Sequence, residues 1–204
     1  MQFEQQQNIE AGAIPAQLNH GAHEVLDVHE VLTGAVNTLN TYTMLSQYVQ
    51  DPELRGILDR QKQFMTAEYN TTLECFKTGQ DPSVPTQSYK MNQGNDVAYG
   101  LKPSPPKQPI QGTAAINDDV ISSSMLCAVK SGATAKTMAA LESTNPVVRR
   151  VLADSLPNCI EMAYEISLYQ NKQGYYQVPQ LAQQDMQLIQ NSYAPAAAAL
   201  PPLH

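Results

Sequence analysis

Residues 50–58 read QDPELRGIL and residues 144–152 read TNPVVRRVL, and both stretches have the form of a helix start. Asp51 and Asn145 can cap a helix N-terminus, and each precedes a proline in the first turn, where the missing N–H costs nothing. Superposing the two prolines aligns Leu54 with Val148, Arg55 with Arg149, Ile57 with Val151 and Leu58 with Leu152. This match predicts a duplicated helical hairpin.

Apolar residues recur at steps of three and four around both stretches, whereas the period-two alternation of strands hardly occurs. We therefore predict four helices. The first runs from about Asn19 to about Gln50, and the second ends at Gly79. The third begins near Ile116, with Asn117 and Asp118 as caps, and the fourth ends at Gly174. Pro157 lies inside the fourth helix and is expected to kink it.

The apolar stripe of each helix is expected to form its buried face. The stripe of the first helix is Val25, Val28, Leu32, Ala35, Leu39, Tyr42 and Val49, and that of the third is Ile121, Met125, Ala128, Gly132, Ala135 and Ala139. The small residues of the third helix are expected to allow close helix approach.

Residues 80–114 are too rich in proline and glycine for a regular element, so they are predicted to form a linker. At roughly 30 residues, the linker can span the length of a helix bundle. The predicted fold is an all-α, ferritin-like four-helix bundle made of two helical hairpins joined by a long crossover linker. The predicted segments are a flexible N-terminal segment 1–18, hairpins 19–79 and 115–178 on either side of the linker, and a Pro/Ala/Gln-rich tail 179–204.

The composition limits the classes of function. The net charge is −7 with only 12 Lys and Arg among 204 residues, which argues against nucleic acid and anionic membranes as partners. The first residues, MQFEQQQNIE, carry neither a basic region nor an apolar core, so no signal peptide is expected. No apolar stretch reaches roughly 18 residues. Cys75, Cys127 and Cys159 each sit among apolar neighbours and are expected to be buried and reduced.

A ferritin-like bundle raises the question of a di-metal site, which would require inward-facing Glu and Glu-x-x-His motifs. No Glu-x-x-His occurs in the chain. The densest group of potential ligands is His20, His23, Asp27 and Glu30, which share one face near the start of the first helix. That face points away from the apolar stripe, and acidic residues are expected at a helix start because of the helix dipole. We therefore predict neither a metal nor another cofactor, and keep these four residues as the alternative.

An enzyme is not predicted either. No nucleophile and base are placed together by a motif, and the chain has no Gly-rich phosphate loop. The VRR stretch of Val148, Arg149 and Arg150 is expected to be a first-turn surface with a partner carboxylate, rather than an anion site.

Residues 168–179 read LYQNKQGYYQVP, in which a helical pattern meets a glycine followed by two tyrosines. Gly174 is expected to end the helix in a left-handed conformation, which turns the following residue back onto the last turn. One of Tyr175 and Tyr176 should pack beside Ile166 or Tyr169. The other is then left at the surface to contact a neighbouring molecule.

Residues 115–180 resemble the coat F domain of the spore coat protein F family of endospore-forming bacteria. The resemblance rests on a polar helix start, a small-residue helix, the E-x-x-N-P-x-x-R turn at residues 142–149, and the GYYQVP ending. The first hairpin, with DPELRGIL, is similar to a more divergent second copy. The stretch STNPVV lacks a leucine before the arginine, which departs from the family pattern. This departure and Pro157 bear on how straight the fourth helix is rather than on whether the chain belongs to the family.

This resemblance implies a non-enzymatic structural component of the spore coat, made in the mother-cell cytoplasm and assembled with other coat proteins. A homo-oligomer is compatible with such a role. In that setting, tyrosine, glutamine and lysine side chains are expected substrates for oxidative or transglutaminase cross-linking, for example at Tyr193 or Gln183. Two alternatives stay open: a ferritin-like metal store or oxidase, and a helical module that binds one partner.

Overall fold

The structure is a computed structural model that describes residues 11–196. Five α-helices form within this range: α1 Ala22–Ser46, α2 Pro52–Thr78, α3 Asp118–Glu142, α4 Pro146–Lys172 and α5 Gln183–Gln190. Single 3₁₀ turns lie at Ala11–Ala13, Ala16–Leu18 and Thr113–Ala115. Across these described residues no strand forms, and one isolated bridge pairs Tyr99 with Val178. The predicted all-α class is confirmed.

The proline-containing helix starts have the predicted caps. Asp51 Oδ1 accepts a hydrogen bond from the Glu53 N–H at 2.7 Å. Asn145 Oδ1 accepts from the amides of Val147 and Val148 at 2.9 and 3.2 Å. Asn117 likewise caps α3. These side chains replace the intrahelical partners that the first amides of a helix lack.

Two helix ends differ from the prediction. The first helix starts at Ala22, because residues 16–18 form a separate 3₁₀ turn, and it ends four residues before Gln50. The eight-residue helix α5 lies inside the segment 179–204 that was predicted as a tail. It spans only about two turns, too few for its periodicity to stand out. Helix α4 continues through Pro157.

Contacts between helix ends define the topology. The start of α3 lies beside the α1–α2 turn, because Asp118 accepts hydrogen bonds from the Gln50 and Asp51 amides. The start of α4 lies at the opposite end of the bundle, where Asn145 Nδ2 donates to the carbonyls of Gly79 and Asn19. The helix pairs in contact are α1–α2, α1–α3, α2–α4 and α3–α4, and each of these pairs is antiparallel. One long crossover of this kind gives the predicted ferritin-like bundle.

The two hairpins use equivalent carboxylates. Glu24, near the start of α1, accepts from the backbone amides of Thr144 and Asn145, which precede α4. Asp118, at the start of α3, accepts from the amides that precede α2. Each hairpin thus supplies an acidic group to the helix start of the other. The two hairpins are related in this respect by a pseudo-twofold arrangement, and their duplication stays a prediction from the sequence.

Two buried apolar clusters fill the bundle. The cluster nearer the α1–α2 turn includes Tyr42, Leu58, Ile121, Met125, Met162, Ile166 and Tyr169. The cluster nearer the α3–α4 turn includes Val28, Val31, Cys75, Ala139, Val148, Val151 and Leu152. No helix of the described part of the chain is long and apolar enough to cross a membrane.

Two positions of the predicted stripes and one cysteine differ from the prediction. Val25 is exposed, and Val31 is buried in its place, because α1 is rotated relative to the simple stripe. A Cβ on Gly132 would meet nothing within 4 Å, so this glycine does not serve a close helix contact. Gly132 instead lines a groove of about 320 Å³ between α1 and α3. Of the three free cysteines, Cys75 and Cys159 are buried as expected, whereas Cys127 is exposed.

Residues 80–114 form what we call the crossover strap. The strap leaves the end of α2 and follows α4 toward the α1–α2 end of the bundle, as its bonds to Asn158, Glu165, Asn171 and Gln177 show in order. Tyr89 is buried in the core between these anchor points. The strap is therefore a packed element of the fold, although it contains little regular secondary structure.

Candidate functional site

The middle of the bundle contains a fully buried carboxylate, Glu165 on α4. Arg60 on α2 forms an ion pair with it, and Gln61 Nε2 donates to its Oε2 at 3.0 Å. The strap supplies the hydroxyl of Tyr89 and the backbone N–H of Asn92, the latter at 3.2 Å. Four donors from two elements therefore satisfy this carboxylate, which offsets the cost of burying its charge.

Two phenols complete this network. The hydroxyl of Tyr42 on α1 donates to Gln61 Oε1 at 2.9 Å. Burial raises the pKa of Tyr42, and the nearby Tyr89 and Glu165 raise it further. Burial also raises the pKa of Tyr89, as does its hydrogen bond to Glu165. Both phenols therefore stay protonated and act as donors.

A second buried ion pair joins α2 and α3. Lys136 on α3 pairs with Glu68 on α2, and Asn158 Nδ2 donates to the other oxygen of Glu68 at 3.1 Å. Lys136 Nζ also lies 3.5 Å from Cys159 Sγ. Burial would lower the pKa of Lys136, but the Glu68 carboxylate and Cys159 together outweigh burial, so the pKa is raised.

Side-chain amides of α4 and the segment after it hold the strap by its backbone. Asn158 Oδ1 accepts from the Tyr89 N–H at 2.9 Å, and its Nδ2 donates to the Gln87 carbonyl at 2.9 Å. Asn171 binds the N–H and the carbonyl of Ala98 in the same way, at 2.8 and 3.0 Å. Gln177 repeats the pattern on Lys102. Each side-chain amide offers an N–H donor beside a carbonyl acceptor, as the backbone of a neighbouring strand would.

The stretch LYQNKQGYYQVP ends α4 and also anchors the strap. Gly174 has φ 75°, and the amides of Tyr175 and Tyr176 donate to the Gln170 carbonyl at 2.8 and 3.1 Å. The Tyr175 ring packs edge-on against Tyr169, with 6.2 Å between ring centroids. Tyr176 stays 54% exposed. The carbonyl of Val178 accepts from the Gly100 N–H at 2.9 Å.

The four potential metal ligands are not equivalent. His20 precedes α1, packs on Phe76 with 5.3 Å between ring centroids, and has its Nδ1 2.7 Å from Glu24 Oε1. Only 6% of its side chain is exposed, whereas His23 and Glu30 are exposed and Asp27 is half-buried. The expected solvated face therefore does not include His20, because the buried carboxylate of Glu24 draws the ring inward.

The Glu24 carboxylate is the polar centre of this end of the bundle. Besides the two amides before α4, it accepts from the Thr144 hydroxyl at 2.8 Å. Burial opposes its charge, but the bonds from Asn145, His20 and Thr144 prevail and lower the pKa of Glu24. Its negative charge also lies at the positive end of the α4 dipole.

Within residues 11–196, no group of three or more His, Cys, Asp and Glu side chains could hold a metal ion. Arg149 is exposed, and the ion pair expected for this turn is formed by its neighbour Arg150, with Asp81. Glu165 and Glu68 already bind donors from protein groups. The centre thus ties the helices and the strap together, and both oxygens of each of these two carboxylates accept a hydrogen bond from a protein donor.

A heptad spacing in the sequence indicates this polar centre. Every seventh residue of α2 from Leu54 is buried: Leu54, Gln61, Glu68 and Cys75. On α4, Val151, Asn158 and Glu165 follow the same spacing. Polar residues that continue an apolar heptad indicate buried polar groups. Their partners Lys136 and Tyr89 carry no such signal, since Lys136 stands among small residues and Tyr89 lies in the strap.

Comparisons with known proteins agree with the matched motifs. The family model of the Coat F domain matches residues 117–179, which coincides with the segment 115–180 that carries the resemblance. The spore coat protein F-like protein YhcQ of Bacillus subtilis (strain 168) is 52% identical over 204 residues, covering 98% of this chain and 94% of that protein.

A solved structure supports the fold. A crystal structure described as a candidate spore coat protein from Bacillus halodurans C-125 aligns with a TM-score of 0.59. The alignment covers 85% of this chain and 99% of that chain, at 17% identity. At this identity the likeness extends to the architecture alone.

Proposed function

Because this chain belongs to the spore coat protein F-like family, we propose that it is a non-enzymatic structural protein of the spore coat that assembles with other coat proteins during sporulation. The observation that carries the proposal is the 52% identity to YhcQ along nearly the whole of both chains. Membership over that length supports a structural role in the coat. Synthesis in the mother-cell cytoplasm follows from the same premise.

The geometry of the polar centre supports a structural role. Glu165 accepts hydrogen bonds from four protein donors, and burial keeps the phenols of the centre protonated. A general base needs a free lone pair and access to substrate. The centre instead joins α1, α2, α3 and α4 to the strap. Such cross-bracing stabilises the fold, as a structural protein requires.

Residues at the surface supply the contacts of the proposed assembly. Tyr176 and Arg149 are exposed, next to the strap anchor and at the start of α4. An exposed tyrosine can bury a large apolar ring and still form a hydrogen bond, which makes it an efficient contact residue. The partners are other coat proteins or a second copy of this chain. Tyr193, 82% exposed, and Gln183 on α5 are the positions proposed for cross-linking.

Localisation of a fluorescent fusion through sporulation tests the proposal directly. We expect the signal to appear in the mother cell and to gather around the forespore. A Tyr176→Ser fusion should reach the coat in smaller amounts, whereas Tyr99→Ser, a matched exposed tyrosine on the strap, should not differ from the unaltered fusion. A diffuse signal in vegetative cells would overturn the coat assignment.

The ferritin-like fold makes a metal store or oxidase the rival function. Elemental analysis of the purified protein separates the two proposals. A structural protein should carry no stoichiometric transition metal, whereas the rival requires about two ions per chain. Loss of such ions on changing Glu68 or His29 would establish the rival. Recovery of a single partner from sporulating cells, rather than several coat proteins, would favour the remaining alternative, a helical binding module.

A further inference from the structure

Cys159, Lys136 and Glu68 meet in the interior of the bundle, where the anchoring of the strap does not need the thiol. Cys159 is 4% exposed and Lys136 is 9% exposed. Lys136 Nζ lies 3.5 Å from Cys159 Sγ and also contacts the Glu68 carboxylate. An amine, a thiol and a carboxylate that can accept a proton therefore share one site.

These three side chains line a cavity of about 50 Å³. A cavity needs about 10–15 Å³ to hold one water molecule, so this space admits a molecule of the size of hydrogen peroxide. Val31, Thr38, Ala128 and Gly132 line both this cavity and the groove between α1 and α3. The cavity therefore borders the groove, and the two residues of α3 that line both, Ala128 and Gly132, are small.

We propose that Cys159 and Lys136 form an oxidative cross-link, a sulfenamide bond between Sγ and Nζ, when the protein meets hydrogen peroxide. Reacting atoms in near-attack geometry lie about 3–3.5 Å apart, and the distance between Sγ and Nζ falls at that limit. The bond would join α3 to α4 at the centre of the second hairpin.

The first step makes a sulfenic acid. The sulfur of Cys159 attacks one peroxide oxygen, the S–O bond forms and the O–O bond breaks. The departing hydroxide takes the thiol proton and leaves as water. Sulfur loses two electrons and peroxide gains them.

The second step forms the link. Lys136 passes one proton to the Glu68 carboxylate, and the free amine attacks sulfur. The N–S bond forms as the S–O bond breaks, and the leaving hydroxide takes the proton from Glu68 to become water. The linked nitrogen then releases one proton to solvent, so the sulfenic acid and the ammonium group yield sulfenamide, water and a proton. A thiol reductant reverses the link.

The other two cysteines are built-in controls. Cys75 is buried like Cys159, but its thiol donates to the Thr72 carbonyl at 3.2 Å, and no lysine amine is among its hydrogen-bond partners in the described structure. Cys127 is exposed. Burial raises the pKa of Cys159 although Lys136 opposes the change, so Cys159 should oxidise more slowly than Cys127.

The test treats the full-length Cys127→Ser protein with hydrogen peroxide, blocks the remaining thiols after denaturation, and maps peptides by mass spectrometry. We expect a linked pair of peptides containing Cys159 and Lys136, lighter by about 2 Da than their sum. Dithiothreitol should release the pair, and Cys75 should stay available to the blocking reagent. A Lys136→Arg variant keeps a cation beside Glu68 but lacks the amine, so it should give no linked pair while its circular dichroism stays unchanged.

Several outcomes would overturn the proposal. Equal blocking of Cys159 and Cys75 after peroxide would show that the site does not react. Conversion of Cys159 to sulfinic acid without a linked peptide would show that the amine does not trap the sulfenic acid. A linked pair heavier by about 14 Da would place an oxygen atom between sulfur and nitrogen and exclude the direct bond.

Discussion

At the residue scale, Glu24 controls how one end of the bundle responds to acid. Its pKa is lowered in the folded protein, so its contribution to stability is present above the unfolded pKa of about 4.3 and is lost as the pH falls through the folded pKa. We expect Glu24→Gln to lower the free energy of unfolding by about 1–3 kcal/mol at pH 7, because Thr144 and Asn145 lose a charged acceptor.

Urea unfolding at pH 7 and at successively lower pH measures this effect. The difference between the unaltered protein and the variant should shrink below about pH 4. Glu30→Gln, at an exposed position of the same helix, is the matched control and should stay within about 0.5 kcal/mol of the unaltered protein. A difference that persists in acid would contradict the role given to the charge of Glu24.

Substitutions at Gly79 and Gly174 separate the cost of backbone strain from the cost of a steric clash. Both have positive φ, 65° and 75°, at the ends of α2 and α4. A Cβ on Gly79 would lie 1.9 Å from the Ala16 carbonyl oxygen, whereas one on Gly174 would meet nothing within 4 Å. We expect Gly174→Ala to cost about 1–2 kcal/mol from backbone strain alone. Gly79→Ala should cost about 2–4 kcal/mol, because the segment at Ala16 must also move.

Thermal and urea unfolding of the two variants provides the comparison. Equal losses would mean that the 3₁₀ turn at residues 16–18 moves aside without cost. The sequence predicted both helix stops, because a glycine at the end of an apolar stripe is a local signal. It could not predict the contact with Ala16, which depends on how the chain before α1 crosses the end of α2.

At the element scale, the strap depends on Tyr89. Tyr89→Phe keeps the buried ring but removes one donor from Glu165, leaving Arg60, Gln61 and Asn92. We expect a loss of about 1–2 kcal/mol in the free energy of unfolding. Local opening of the strap should also become more frequent, so trypsin should cleave after the exposed Lys90 faster than in the unaltered protein.

A time course of limited proteolysis measures strap opening. The control is Tyr99→Phe, since Tyr99 is 63% exposed and also lies on the strap. Cleavage at equal rates in both variants would show that the phenol of Tyr89 does not hold the strap. The sequence located this element as a linker, because proline and glycine are local signals. Its burial along α4 depends on amides that lie 69 and 73 residues further along the chain.

At the scale of the whole molecule, buried tyrosines predict loss of stability at high pH. Burial is the main cause that raises the pKa of Tyr42, Tyr89 and Tyr169. These phenols favour the folded state fully below the unfolded pKa of about 10, and that advantage is lost as the pH rises above it. We therefore expect the free energy of unfolding to decline above about pH 10.

The near-ultraviolet absorbance of ionised tyrosine can follow this transition. In the folded protein, part of the signal from the ten tyrosines should appear only together with unfolding, as monitored by circular dichroism. In denaturant all ten should ionise in one step near pH 10. Complete ionisation of a protein that is still folded would contradict the burial of these phenols.

The sequence by itself determined the four long helices, the caps of α2, α3 and α4, the stops at Gly79 and Gly174 and the family motifs, because each of these depends on residues within a few turns of one another. Caps at Asp51 and Asn145 and the periodic apolar stripes are local in this sense. The tertiary structure alone decided which polar groups meet in the core. Glu165 binds Tyr89 across 76 residues, and Lys136 binds Glu68 across 68. A buried charge is tolerated only where distant elements bring it a partner, so no local pattern could have specified these pairs.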